Sequence, residues 1–253
     1  MYDFRDLKAE YQVDTNVCTP DGKRSSYKGN IYLTAKYMVT DDEYMFTIEQ
    51  KKDILLNDAK PSKLADCLMV RLGCSLFPIS LNVLPQGKIR TVEMFDEIKA
   101  RWTEESQKIL QEMPSVPVKR YIGLSGKNMK NEKTFLQALM RDTFFMLYFL
   151  DNTKNEILFP VYSLMGAGSL LNLSCIKNQI DEHTVSYDYE DVEEETSFRI
   201  IYRFSSFKHI ISIKAVVLTK GEYKKEINIR LNENSCEIKK TNKFVSNLIY
   251  FTG

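Results

Sequence analysis

The two histidines of the chain, His183 in "IDEHTV" and His209 at the head of "HIISIKAVV", are the side chains best suited to acid–base chemistry near neutrality, because imidazole alone titrates there unperturbed. A serine or cysteine nucleophile would have to converge on one of them, and no G-x-S-x-G elbow presents such a serine. His183 lies in a polar turn and His209 opens an apolar strand, so both read as structural ahead of the catalytic alternative. Cys67 and Cys74 are seven residues apart, which puts them on one helix face. A structural zinc site wants C-x2-4-C pairs with further ligands nearby, so core thiols are the expectation. The acidic run "YEDVEEET", Tyr189 to Thr196, lacks the alternating carboxylates and sharp-turn Gly of a calcium loop and reads as a solvated turn and strand edge. "GAGSLLN" at Gly166 lacks the G-K-[ST] ending that lets a loop cradle phosphate. No catalytic residue, metal site or cofactor is therefore expected, and the protein reads as a non-enzyme.

The aromatic residues offer a different chemistry, that of binding. Fourteen Phe, fourteen Tyr and one Trp exceed what a few isolated contacts need, and such rings bury large areas with few torsions to freeze. In "FFMLYFL" they point all round a helix. Either two protein layers cover that helix or one face meets a partner; on the second reading Phe144, Phe145, Tyr148 and Phe149 are the candidate partner-binding residues.

Composition narrows the partner. In 253 residues, 35 basic side chains balance 34 acidic ones to a net charge of +1, leaving no overall field to attract nucleic acid. The 43% hydrophobic and 27% charged content is that of a folding chain rather than a disordered one. Five widely spread cysteines, an odd number in a chain long enough to need no staples, suit reduced thiols and a cytoplasmic location. The N-terminus "MYDFRDLKAEYQVDTNV" has no basic start followed by an apolar run, as a secretory signal would. The longest apolar stretch, "FLQALMRDTFFMLYFL", is interrupted by Arg141 and Asp142, so no membrane span is expected.

The elements that must position these residues fall into three blocks of a single domain. Residues 1–56 carry strand-like alternation in three runs, separated by the turn residues Pro20, Asp21 and Gly22 and by "TDDE". Residues 61–150 form a helical block. A helix opens at Pro61 and Ser62 with Leu64, Leu68 and Leu72 on one face; a hairpin over "ISLNVLPQGKIRTVE" follows; and a helix from Met94 carries Phe95, Ile98, Trp102 and Ile109. Gly87 suits a positive φ in the hairpin turn, which delivers that helix onto the sheet. The stretch after Pro114 and Pro117 reads as helix or loop, and a helix is expected from Glu132 to Leu150. From residue 156 to 251 the period is two, as in "SFRIIYRF", giving five to seven antiparallel strands. Strands at both ends around one helical block predict an α+β fold, in which a large curved antiparallel sheet, half-barrel-like, packs around the helices.

Taken together, "KLADCLMVRLGCSLFPISLNVLPQGKIRTVEMFDEIKARWTEESQKIL" and "TFLQALMRDTFFMLYF" resemble a family of uncharacterised bacterial proteins associated with type VI secretion loci. The resemblance covers residues 60–150 and implies a cytosolic adaptor or chaperone whose partner is another protein, a secreted effector. A looser likeness is to the half-barrel lipoprotein carriers of the bacterial envelope. It implies a carrier of a lipid or other apolar small molecule in a groove between sheet and helices. Both point to binding rather than catalysis.

Overall fold

A computed structural model of the chain describes residues 4–5, 7–151, 153–160, 172–191, 196–206, 208–219 and 223–232. The expected strand over residues 236–251, the "GAGSLL" stretch and the centre of the acidic run lie outside them.

Strand β1 (Lys8–Cys18) alternates in period two, with Ala9, Tyr11 and Val13 buried on one side. The turn after it closes through the Gly22 amide, which donates to the Thr19 carbonyl at 2.8 Å, and β2 (Arg24–Met38) returns antiparallel. β3 (Glu43–Gln50) pairs with the second half of β2, while the two-residue β4 (Leu55–Leu56) pairs with its first half. Beyond β3 lie β5 (Ile79–Val83) and β6 (Ile89–Glu93). The C-terminal block is a meander of β7 (Glu156–Pro160), β8 (Asn172–Asp181), β9 (Thr184–Asp191), β10 (Thr196–Phe204), β11 (Ile210–Thr219) and β12 (Tyr223–Leu231). One antiparallel pairing, Tyr11–Cys18 of β1 against Lys224–Leu231 of β12, joins the two blocks.

The result, among the described residues, is one twelve-stranded antiparallel sheet in the order β6-β5-β3-β2-β1-β12-β11-β10-β9-β8-β7, with β4 beside β2 off this path, curved but not closed. This is the α+β architecture that the sequence pattern predicts. Edge strand β6 is protected, because Glu132 accepts a hydrogen bond from the Val92 amide at 3.0 Å.

The helical block divides into two parts. Helices α1 (Leu64–Ser75), α2 (Phe95–Glu112) and α3 (Val116–Ser125) enclose a small core of Leu68, Leu72, Ile109, Val118 and Ile122. Arg71 of α1 fastens α2 by ion pairs to Glu105, at 2.7 Å, and to Glu112. Arg101 of α2 donates to the carbonyls of Leu76 and Pro78, at 3.0 and 2.6 Å, and so holds the α1–β5 connection. The half-buried Trp102 packs against both this small core and the main one. Its exposed portion departs from the expectation of an indole delivered onto the sheet; Ile98, 2% exposed, is the fully buried residue that α2 contributes to the main core, with Phe95 packed against it.

The second part fills the curve of the sheet. Where a single helix to Leu150 is expected, the structure has α4 (Glu132–Leu139) and α5 (Thr143–Tyr148). The cause is Asp142, whose extended backbone breaks the helix and whose carboxylate then accepts from the amides of Phe144 and Phe145, restarting it as an N-cap. Two hydroxyl contacts tie helix α5 to the sheet, and a third continues from one of them across the sheet. Tyr148 donates to the Tyr11 hydroxyl at 3.3 Å, Tyr11 donates to the Ile210 carbonyl at 2.8 Å, and Tyr202 donates to the Leu147 carbonyl at 2.8 Å. Each link gives a buried polar atom a partner at the centre of an apolar core.

Gly87 sits in the β5–β6 turn with φ +96°, a conformation in which a β-branched side chain clashes with its own backbone. Gly87→Val is expected to lower the unfolding free energy by about 1 kcal/mol or more, read as a fall in the urea midpoint with an unchanged slope.

Candidate functional site

Strands β1 to β3 point Val13, Thr15, Tyr27, Ile31 and Gln50 toward the helices. Opposite them, α1 presents Met69, Leu72 and Gly73, α4 presents Phe135, Ala138 and Leu139, and α5 presents Phe144 and Phe145. These two surfaces do not meet fully. They enclose a cavity of about 510 Å³, with Trp102 and Tyr121 in its wall. A Cβ added at Gly73 would touch nothing within 4 Å, so α1 borders open volume at that point.

The walls are mainly aliphatic and aromatic, and their polar groups are few and held in place. Gln50 Nε2 donates to the Tyr27 hydroxyl at 2.7 Å. That hydroxyl also lies over Gly29, where an added Cβ would come within 2.6 Å of it; the missing side chain at Gly29 makes room for the phenol. Burial, and secondarily the charge of Asp142, push the Tyr27 pKa far above the ordinary tyrosine value, so it is a neutral hydroxyl throughout the physiological range.

Among the described residues lining the cavity, Asp142 is the one with an acidic or basic side chain. Asp142 is exposed at the surface where it lines the cavity, although protein atoms are dense around its carboxylate. Burial raises its pKa above the usual carboxylate value; the Phe145 and Phe144 amides and the charge of Lys225 act in the opposite direction. Lys225, 7% exposed, stands on β12 on the same face as the buried Ile227 and Ile229. Desolvation brings its pKa down to about 8, with Asp142 pulling it back up.

The structure gathers some of the residues singled out from the sequence and separates others. Phe144, Phe145, Tyr148 and Phe149, the residues expected to meet a partner if one face of the helix is open, are each no more than 2% exposed. The reason is the depth of the curved sheet, which covers α5 on the side a lone helix would leave open. Phe144 and Phe145 instead line the cavity; Tyr148 and Phe149 lie in the core behind them. His183 is exposed in the β8–β9 turn and His209 is buried at the head of β11, where the Ser205 hydroxyl accepts from the His209 backbone amide at 3.1 Å. His183 borders a smaller pocket of about 250 Å³ with Lys177, Tyr187 and Lys208.

Cys67 and Cys74 are only half-buried, since α1 lies on the outside of its small core. The Cys67 thiol donates to the Pro61 carbonyl, and burial pushes up the pKa of Cys74. No group of three or more metal-ligating side chains occurs among the described residues, and among them no helix is long and apolar enough to cross a membrane.

Sequence reasoning missed Asp142, Tyr27 and Gln50 as site residues. A signal existed for the first: a carboxylate in the middle of an apolar aromatic run needs a reason, and here the reason is both a helix cap and a cavity wall. Compared with known proteins, the chain matches no family model and no curated protein.

The depressed Lys225 pKa fixes a sign. Below pH 8 the Lys225 ammonium is charged in both states and partly desolvated in the folded one; the unfolded chain holds its proton up to the ordinary lysine value of about 10.5. Between these values the unfolded state binds more protons, so this group's contribution to stability rises with pH. Lys225→Met removes the cost. The variant should exceed the original protein in stability by roughly 3 kcal/mol at pH 7, and the gap, measured by urea unfolding, should narrow as pH approaches 10.

Proposed function

We propose that the protein is a non-enzymatic binding protein that carries an apolar, lipid-like small molecule in the cavity between sheet and helices. One observation carries this reading. A cavity of about 510 Å³ walled by Leu, Ile, Phe and Met side chains falls in the size range of small-molecule pockets, roughly 300–1,000 Å³. Protein interiors are otherwise packed to the density of organic crystals, and an apolar void forfeits the dispersion contacts of its walls. An occupant restores them.

The geometry favours this over the adaptor role. A protein adaptor built on the aromatic helix would need Phe144, Phe145, Tyr148 and Phe149 at the surface, and the sheet covers them. The half-barrel likeness drawn from the sequence implies the same kind of groove, and so agrees with the carrier reading.

Gly73→Leu tests it without threatening the fold. Replacing a helical glycine adds helix propensity of about 1 kcal/mol, while the new side chain projects into open volume. The variant should melt at a higher temperature yet bind the apolar dye N-phenyl-1-naphthylamine about tenfold more weakly, as the loss of a pocket's volume implies. Unchanged dye affinity in Gly73→Leu would overturn the cavity as the site. Native mass spectrometry of protein from its own host should show a small lipophilic mass; a co-purifying polypeptide in its place would favour the adaptor role.

A further inference from the structure

The near-zero net charge conceals a segregated distribution. Residues 116–133 hold five basic side chains, Lys119, Arg120, Lys127, Lys130 and Lys133, against the single acidic Glu132. That segment is +4 in a chain of +1, so the remainder carries −3. All five basic residues are exposed, and none forms an ion pair among the described residues. Neighbouring carboxylates are engaged elsewhere. Glu132 accepts from the Val92 amide; on α2, which shares a core with α3, Glu104 pairs with Lys108, and Glu105 and Glu112 pair with Arg71.

Unpaired cations at this density attract a polyanionic surface, and the residues between them narrow its kind. On α3, Val116, Lys119, Arg120, Gly123 and Leu124 follow the spacing of one helix face, and each is exposed. Val116 is 78% and Leu124 54% exposed. The 3-10 turn Gly126–Met129 adds Lys127 directly after them. Aliphatic tips interleaved with cations match the boundary of a bilayer, where the tips enter the acyl region and the cations meet head-group phosphates. A nucleic acid would gain nothing from Val116 and Leu124, and the stripe has no aromatic ring on which a base could stack.

The other side of the same segment faces inward. Val118 and Ile122 enter the small core, while Tyr121, Ser125, Asn128 and Met129 line the cavity. One segment is thus cavity wall on one side and basic, apolar-tipped surface on the other. Building on the carrier reading, we infer that α3 and the turn after it dock on a bilayer surface rich in anionic lipid, where the cavity exchanges its apolar occupant.

The test is sedimentation of the full chain with vesicles of phosphatidylcholine, alone or mixed with phosphatidylglycerol at about three to one. The protein should bind the mixed vesicles and be released by about 1 M salt, which shortens the screening length. A basic residue near an anionic surface contributes about fivefold in affinity, so the triple variant Lys119→Gln, Arg120→Gln, Lys127→Gln should bind about a hundredfold more weakly. Leu124→Asn should weaken vesicle binding severalfold and leave elution from heparin, a polyanion with no apolar layer, unchanged. Equal binding to both kinds of vesicle, or a triple variant that binds as the original does, would overturn the docking face. Vesicle binding unaffected by Leu124→Asn would overturn the bilayer as the partner and reassign the cations to a soluble polyanion. Transfer of bound N-phenyl-1-naphthylamine to mixed vesicles should quicken with vesicle concentration for the original protein but not for the triple variant; a rate independent of vesicles in both would overturn exchange at this face. Failure of the dye to bind in solution would remove the carrier reading and the exchange with it, whereas the docking face would still stand or fall by sedimentation.

Discussion

The pairing of β1 with β12 is the constraint on which the structure depends. It brings residues 11–18 into register with residues 224–231, so that two antiparallel meanders become one sheet. Each meander alone would expose one apolar face along its whole length. Joined, they curve around α5, and the inward residues of both halves reach the same core: Tyr11 and Phe46 from one side, Phe198 and Tyr202 from the other. The loop entropy of closing so long a separation is recovered only when the entire sheet and its helical filling assemble. Cooperative folding follows from that geometry.

The cavity arises within the same arrangement. Helix α5 is locked against the sheet by hydroxyl links through Tyr11, Tyr148 and Tyr202, whereas α1 to α3 have a core of their own. Two bodies, each internally well packed, enclose open volume where they face each other. Trp102, which packs on both, spans part of the gap, and Gly73 deepens it by contributing no side chain. The break at Asp142 then sets a carboxylate at the edge of an otherwise apolar chamber. A helix cap and a cavity wall are thus one residue, so the backbone geometry that ends α4 also fixes the polarity of the site.

Local pattern carried much of this. The period-two runs, the turn at Pro20 to Gly22, the Gly87 turn and the helix through Phe95 and Ile98 are legible because strand and helix periods are properties of neighbouring residues. The α+β class was legible for the same reason, from strands at both ends and helices between them. The division of the expected helix over 132–150 was missed, although Asp142 carries an N-cap signal. The strength of the apolar pattern around it favoured continuity, and a cap competes with a continuous helix only through the backbone amides it satisfies.

What the sequence by itself determined is the set of elements, their amphipathic faces and the absence of a recognisable catalytic motif. What the tertiary structure alone decided is where the aromatic helix went and which polar groups share a space. Phe144, Phe145, Tyr148 and Phe149 could equally serve a core or a surface until the sheet's curvature covered them. Tyr27, Gln50 and Asp142 come from three distant segments, and no spacing rule connects them. The physical reason is that burial and convergence depend on long-range pairing, above all that of β1 with β12, and such pairing leaves no periodic trace in either segment.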